Sequence, residues 1–365
     1  MKRAVLGAGA CLGVFLGATL LGCGGQETPA RSSSAAFWGV VPQERTTLAQ
    51  LRELRRGGVD SVRIGIKWRL IVPARGRPAR WSKVDDIVEI AARARIAVLP
   101  SVYGSPRWVA RRETTLPVES RRQRRAWAGF VRMVVRRYGP DGRFWSAHPE
   151  LPSRPIRTWQ IWNEPNFFYF TEDPDPGRYA SLVTISRRAI RAVDPGGKLI
   201  LGGMFALPGE RPPRAYPAHR FLALMYERHP GIGRSIDGIA IHPYTRDFRY
   251  LKPILDQVRT TMRRAGDPEV GLWITEMGWG SQGGPDAAQL EDGRAGQARQ
   301  LKGAFRILLR NRAPWRLRQI YWFTVTDTNN PNACDFCDSA GLFTPDFRPK
   351  PAWRAFTSFT TTPQD

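Results

Sequence analysis

Two glutamates in the chain are placed as a working pair of carboxylates would be. Glu164 ends the run Thr158-Trp159-Gln160-Ile161-Trp162-Asn163-Glu164-Pro165-Asn166, and Glu276 ends Gly271-Leu272-Trp273-Ile274-Thr275-Glu276-Met277-Gly278-Trp279-Gly280. Each run is short, apolar and rich in β-branched and aromatic side chains, the make-up of a strand. Pro165 lacks an N–H and biases Glu164 away from the helical region, so the first ladder stops there, and glycines break the second beyond Glu276. Both carboxylates therefore belong at strand mouths. A Glu after a strand can simply meet water in a loop, but these two sit among Trp and apolar residues, where burying an unpaired carboxylate is costly and raises its pKa. A protonated carboxyl and an ionised carboxylate in one site could give a proton to a leaving oxygen and an electron pair to the atom it leaves.

The rest of the chain supplies elements to hold such a pair. Strands are predicted over 36–41, 61–66, 96–100, 198–203, 236–242 and 319–325 besides the two glutamate runs. Helices are predicted over 46–56, 83–95, 119–138, 177–193, 218–228, 250–264 and 351–359, with a further long helix within 289–311. The first helix has Thr46 or Thr47 as N-cap and Gly57-Gly58 as terminator; the second shows Val84, Ile87, Val88, Ile90 and Ala91 at helical spacing. Eight strands, each followed by a helix, is the count of a (β/α)₈ TIM barrel, an α/β fold, and strands without clean alternation suit a parallel sheet buried on both faces. An open doubly wound sheet is the alternative. Polar or aromatic residues recur at the C-terminal ends of different strands, namely Arg63, Tyr103, Glu164, His242, Glu276 and Trp322, and only a closed ring brings all those ends to one mouth.

Length and composition agree with a large core: 365 residues, 42% hydrophobic and 11% aromatic, exclude overall disorder. The net charge of +24 would suit nucleic acid, an anionic glycan or an acidic membrane surface. The positive charge is almost all Arg and is spread along every predicted helix, so a compositional bias on solvated faces accounts for it as well, with an anionic polysaccharide as the remaining option. No zinc-finger spacing, glycine-rich phosphate loop or RNA-binding aromatic pattern supports nucleic acid as a partner. His148, His219 and His229 fall in loop or helix contexts, and no constellation points to a catalytic metal or another cofactor.

Met1-Lys2-Arg3 followed by the apolar stretch 4–22 has the n- and h-regions of an export signal. Leu20-Leu21-Gly22-Cys23 resembles a bacterial lipobox, which implies cleavage before Cys23 and its lipidation; a plain secretory signal is the first alternative, and a retained transmembrane helix is disfavoured by the short, Gly-rich h-region. Residues 23–35 then read as a flexible tether rich in Ser and Gly, and 36–361 as a single catalytic domain. The expected location is outside the cytoplasm, anchored by lipid to the outer face of the bacterial cell membrane or secreted, with a monomeric body. Once Cys11 and Cys23 are set aside, Cys334 and Cys337 are the cysteines left, and in an exported protein they are expected to pair as a disulfide. A redox dithiol or half a metal site are the other readings of that spacing.

The runs Ile161-Trp162-Asn163-Glu164-Pro165-Asn166 and Ile274-Thr275-Glu276-Met277-Gly278-Trp279 resemble the strand-four and strand-seven signatures of clan A retaining glycoside hydrolases, nearest to families 5 and 39. The resemblance implies that Glu164 is the general acid/base and Glu276 the nucleophile. It further implies that Arg63 and the Tyr of His242-Pro243-Tyr244 orient the nucleophile, and that Trp322 is the aromatic platform beneath the sugar. Trp38, Trp108 and Trp279 are weaker platform candidates. Asn163 would point its amide toward the sugar 2-hydroxyl, or merely cap the turn. Where family 5 often carries a His after strand three, this chain has Leu99-Pro100-Ser101-Val102-Tyr103-Gly104, which leaves the choice of family open. The activity implied is hydrolysis of a β-linked oligo- or polysaccharide by double displacement. A glycan-binding barrel without catalysis, or a transglycosylase using the same pair, are the alternatives.

Overall fold

The structure, a computed structural model, describes residues 36–283, 289–330 and 334–361. The expected export signal, the lipidation site Cys23 and the tether lie outside the described residues. Eight barrel strands follow in order: β1 (Trp38–Val41), β2 (Ser61–Lys67), β3 (Ala97–Tyr103), β4 (Thr158–Ile161), β5 (Lys198–Leu201, resuming at Met204–Phe205), β6 (Gly238–His242), β7 (Gly271–Met277) and β8 (Leu317–Phe323). Each pairs in parallel with the next, and β8 returns to β1 through Trp38↔Ile320 to Val41↔Phe323. That last pairing closes the ring and rules out the open sheet.

Outside the barrel lie α1 (Leu48–Arg56), α2 (Ser82–Arg93), α3 (Arg121–Tyr138), α4 (Pro176–Arg191), α5 (Ala218–Arg228), α6 (Leu251–Arg264), α7 (Gly293–Arg310) and α8 (Pro351–Thr360). Their starts are chemically set. Thr47 and Gln50 form a reciprocal capping box on α1, Ser120 and Gln123 do the same on α3, and Asp175 caps α4 just before Pro176. Each such cap is worth about 1 kcal/mol, by satisfying N–H groups that the helix leaves orphaned. The helices bury one apolar stripe against the strands, Leu51 and Leu54 on α1 for example.

The differences from expectation are local. β3 does not stop at Pro100 but runs to Tyr103 with Pro100 in register with Ile64, because one missing N–H costs a single ladder bond in a strand of seven. Residues 289–292 form a turn before α7, with a bridge from Gly280 to Glu291. β5 is interrupted at Gly202-Gly203 for a reason that bears on the site. A Cβ on Gly203 would lie 1.9 Å from Nε2 of His242, so the imidazole reaches inward only because that position has no side chain.

Candidate active site

Inside the barrel Val41, Leu99, Ile200, Ala240, Trp273, Tyr321 and Phe323 pack together as an apolar cluster. A polar layer follows: Arg63 from β2, Gln160 from β4, His242 from β6 and Thr275 from β7, all buried. Period-2 alternation places them there. Arg63 lies two residues beyond the inward Ser61, Gln160 lies between the apolar Trp159 and Ile161 of β4, and Thr275 lies two beyond the inward Trp273.

The carboxylates leave their strands by different devices. On β7, residues 274 to 277 oppose only 320 to 322 of β8, so one extra residue enters the strand. This bulge lets Thr275 and Glu276, neighbours in sequence, both reach the barrel interior. On β4, Trp162 at φ 69° and Glu164 at φ 39° turn the chain sharply. Non-glycine residues seldom occupy that region, and here surrounding bonds hold it: Trp162 N donates to Val102 O (2.9 Å), and Ser101 Oγ donates to Trp162 O (3.0 Å). Asn166 pins the turn to the end of β5, donating to Phe205 O (2.7 Å) and accepting from Phe205 N (3.0 Å).

The resulting network is dense. Arg63 donates from Nε to Gln160 Oε1 (2.6 Å), from Nη1 to Glu276 Oε1 (2.5 Å) and from Nη2 to Asn163 Oδ1 (2.7 Å). Tyr244 Oη donates to Glu276 Oε2 (2.9 Å). Nδ1 of His242 lies 2.7 Å from Glu164 Oε1 and 3.5 Å from Glu276 Oε2, while its Nε2 lies 3.0 Å from Thr275 Oγ1. Tyr103 packs against Gly65, where a Cβ would meet its Oη at 3.3 Å.

Electrostatics follow from burial. Glu164 is pushed well above the ordinary carboxylate range, first by desolvation and then by Glu276, against the pull of Arg63. Burial, reinforced by Arg63, holds His242 well below the usual imidazole value. Tyr244 is pushed well up by burial and the two carboxylates, and Tyr103 to about 12, chiefly by burial. One carboxylate oxygen each from Glu164 and Glu276 and one nitrogen of His242 lie within 4.8 Å of one another, a spacing that could admit a cation. The donors already in place argue against that use. Arg63 neutralises Glu276, and both imidazole nitrogens are engaged.

The structure thus gathers Arg63, Tyr103, Asn163, Glu164, His242, Tyr244 and Glu276 at one mouth. Trp322 is a correction. It is fully buried and turned outward, its Nε1 donating to Ala340 O (3.0 Å) and its ring 6.1 Å from that of Trp279, so no sugar can reach it. Alternation in β8 sends Tyr321 and Phe323 inward and Trp322 out. Phe323 instead lies at the mouth, edge-on to Tyr244 at 6.2 Å. Trp38 and Trp279 are likewise buried, and Trp162 points away from the mouth, donating to Phe170 O (3.1 Å).

The expected disulfide joins Cys334 and Cys337. Its turn carries Phe336, whose ring stands 5.3 Å from Tyr244 and 6.3 Å from Phe323. Sequence reasoning passed over Gln160, Thr275, Phe323 and Phe336. The lone Gln in a strand run is a signal for the first; nothing in the sequence announces Phe323 or Phe336, since Ile320 to Phe323 are apolar or aromatic without a break.

Solved structures that share this closed parallel barrel include glycoside hydrolases. A family 39 glycoside hydrolase from Bacteroides cellulosilyticus aligns with a TM-score of 0.63 over 89% of this chain and 63% of its own, at 21% identity. A GH39 β-xylosidase from Caulobacter crescentus aligns with a TM-score of 0.65 over 91% and 72%, at 20% identity. By sequence, a β-xylosidase from Geobacillus stearothermophilus is 30% identical over 145 residues, covering 33% of this chain and 26% of that protein. The chain therefore spans less than two thirds of the Bacteroides structure, and the sequence match about a quarter of the Geobacillus enzyme. No family model matches the chain.

Proposed function

We propose that the barrel is a retaining glycoside hydrolase that cleaves O-glycosidic bonds of a β-linked glycan. The observation that carries this reading is the approach of Glu164 and Glu276, with oxygens within 4.8 Å. Retaining pairs stand about 5 to 5.5 Å apart, whereas inverting pairs are separated by about 6.5 to 9.5 Å to admit a water.

In the first step Glu276 attacks the anomeric carbon while Glu164 protonates the departing oxygen, giving a glycosyl-enzyme ester and a free alcohol. In the second, Glu164 takes a proton from water, whose oxygen attacks the anomeric carbon and releases Glu276. Burial suits Glu164 to begin as the acid. Arg63 and Tyr244 each donate to Glu276, orienting the nucleophile. Asn163 accepts from Arg63 through Oδ1, which leaves Nδ2 to meet the sugar 2-hydroxyl. Because the Caulobacter and Geobacillus relatives are β-xylosidases, β-xylosides are the first substrates to try. We further propose an exported, lipid-anchored protein. Loss of membrane partitioning on Cys23→Ser would support the anchor, and unchanged partitioning would remove it.

The test is proton NMR of aryl β-glycoside hydrolysis across neutral and uronic sugars, with methanol as a competing acceptor. A β-configured sugar as first product supports retention, and an α-configured one overturns the mechanism. Methyl glycoside in place of free sugar would favour the transglycosylase reading. Binding of glycan with no product from any substrate would favour the non-catalytic one.

A further inference from the structure

Gln160 and Thr275 have no assigned role, yet both are buried in the polar layer and connect Arg63 to His242. Their hydrogen-bond inventory fixes the direction of every proton between them. The amide of Gln160 is oriented by Arg63, which has only donors, so the atom facing Nε at 2.6 Å is Oε1. Its Nε2 carries two hydrogens, for Leu201 O (3.2 Å) and Thr275 Oγ1 (3.1 Å). Thr275 therefore accepts from Gln160 and has one hydrogen of its own. Fully buried, its hydroxyl has only Nε2 of His242 (3.0 Å) as a further partner among the described residues. The reverse arrangement, Nε2–H donating to Thr275, would leave the hydroxyl hydrogen buried without an acceptor, which costs the full desolvation penalty of that group.

From this geometry we infer that Gln160 and Thr275 are positioning residues that lock His242 as the Nδ1–H tautomer and so fix which oxygen of Glu164 carries the acidic proton. Nδ1–H donates to Glu164 Oε1 at 2.7 Å, so Oε1 is an acceptor and the proton of the neutral acid resides on Oε2. The imidazole keeps its own proton throughout. Oε2 gives up the proton when the leaving group departs and regains one from water, and Arg63 serves both halves of the site, gripping Glu276 directly and setting the proton of Glu164 through three intermediates.

The inference rests on the glycosidase reading for its kinetic consequence, but the tautomer is measurable without substrate. The chain has four His, so protein labelled with ¹⁵N-histidine gives a readable set of ring signals, with His242→Gln to identify the relevant one. The expected wild-type spectrum shows His242 neutral and protonated at Nδ1, with Thr275→Val moving its ring nitrogens toward the mixed values of a free imidazole. In parallel, Thr275→Val should slow glycosides with poor leaving groups about tenfold, leave activated aryl glycosides within about twofold, leave KM unchanged and shift the basic limb of the pH profile. Thr275→Ser should restore all of these. Protonation at Nε2 in the wild type overturns the inference. So does a Thr275→Val protein with unchanged ring signals, or one that slows every substrate equally with the wild-type pH profile. Silence from every glycoside would count against the glycosidase reading alone, since the spectrum still decides the tautomer.

Discussion

At the end of β4 the chain breaks away through two residues at positive φ, whereas at the end of β7 it stays in the sheet and takes in one extra residue. The first device delivers Glu164 to a buried, neutral imidazole; the second delivers Glu276 to a guanidinium and a phenol. One residue type thus enters two environments within 4.8 Å. Paired sites of this kind divide labour through their surroundings, since nothing in two identical side chains distinguishes acid from nucleophile.

Removing each carboxylate tests that division. Glu276→Ala should lower turnover by about 10⁴-fold or more on every substrate, because no other group can form the covalent intermediate. Substantial activity on unactivated substrates would remove Glu276 from that role. Glu164→Ala should cost about 10² to 10⁴-fold on substrates with poor leaving groups, spare the first step for activated ones, and be rescued by azide. A loss independent of the leaving group, without azide rescue, would contradict the assignment.

Arg63→Lys probes what the two halves share. A point ammonium cannot replace three donors aimed at Gln160, Asn163 and Glu276, so kcat should fall about 10²-fold with the fold intact. A wild-type rate would show that charge alone suffices. At the mouth, Phe323→Ala should raise KM about tenfold if the ring meets the sugar. Trp322→Phe should leave KM alone and lower only the melting temperature; the opposite pattern would return Trp322 to the site.

The smallest effect is on stability. The folded pKa of Glu164 lies above the value of about 4.3 expected when unfolded, so between the two the native state holds a proton that the unfolded chain has lost. Stability then falls as pH rises through that window, and the penalty vanishes below it. Glu164→Gln should therefore melt roughly 2 to 4 °C higher than wild type near pH 8, with the difference closing near pH 4. An equal difference at both pH values would assign the gain to packing instead.

Much of this was legible along the chain. The (β/α)₈ succession, the strand-end glutamates and the strand-end positions of Arg63, Tyr103 and His242 follow from local composition, because apolar runs, Pro and Gly mark strand ends whatever lies around them, whereas Asn163 and Tyr244 entered only through the resemblance to clan A glycoside hydrolases. Trp322 was misplaced for an equally physical reason. In a strand buried on both faces each neighbour of an inward residue is also apolar, so composition gives no sign of which of Tyr321, Trp322 and Phe323 faces the lumen.

The elements, their order and the two carboxylates depend on residues a few positions apart and can be read along the chain. Their partners are set by the closed barrel: Arg63 reaches Glu276 across 213 residues of chain, Gln160 meets Thr275 across 115, and Gly203 makes room for His242. Those contacts depend on register and ring closure, which fix inward and outward faces for all eight strands at once. A slip of one residue would exchange the two faces of a strand without altering its composition.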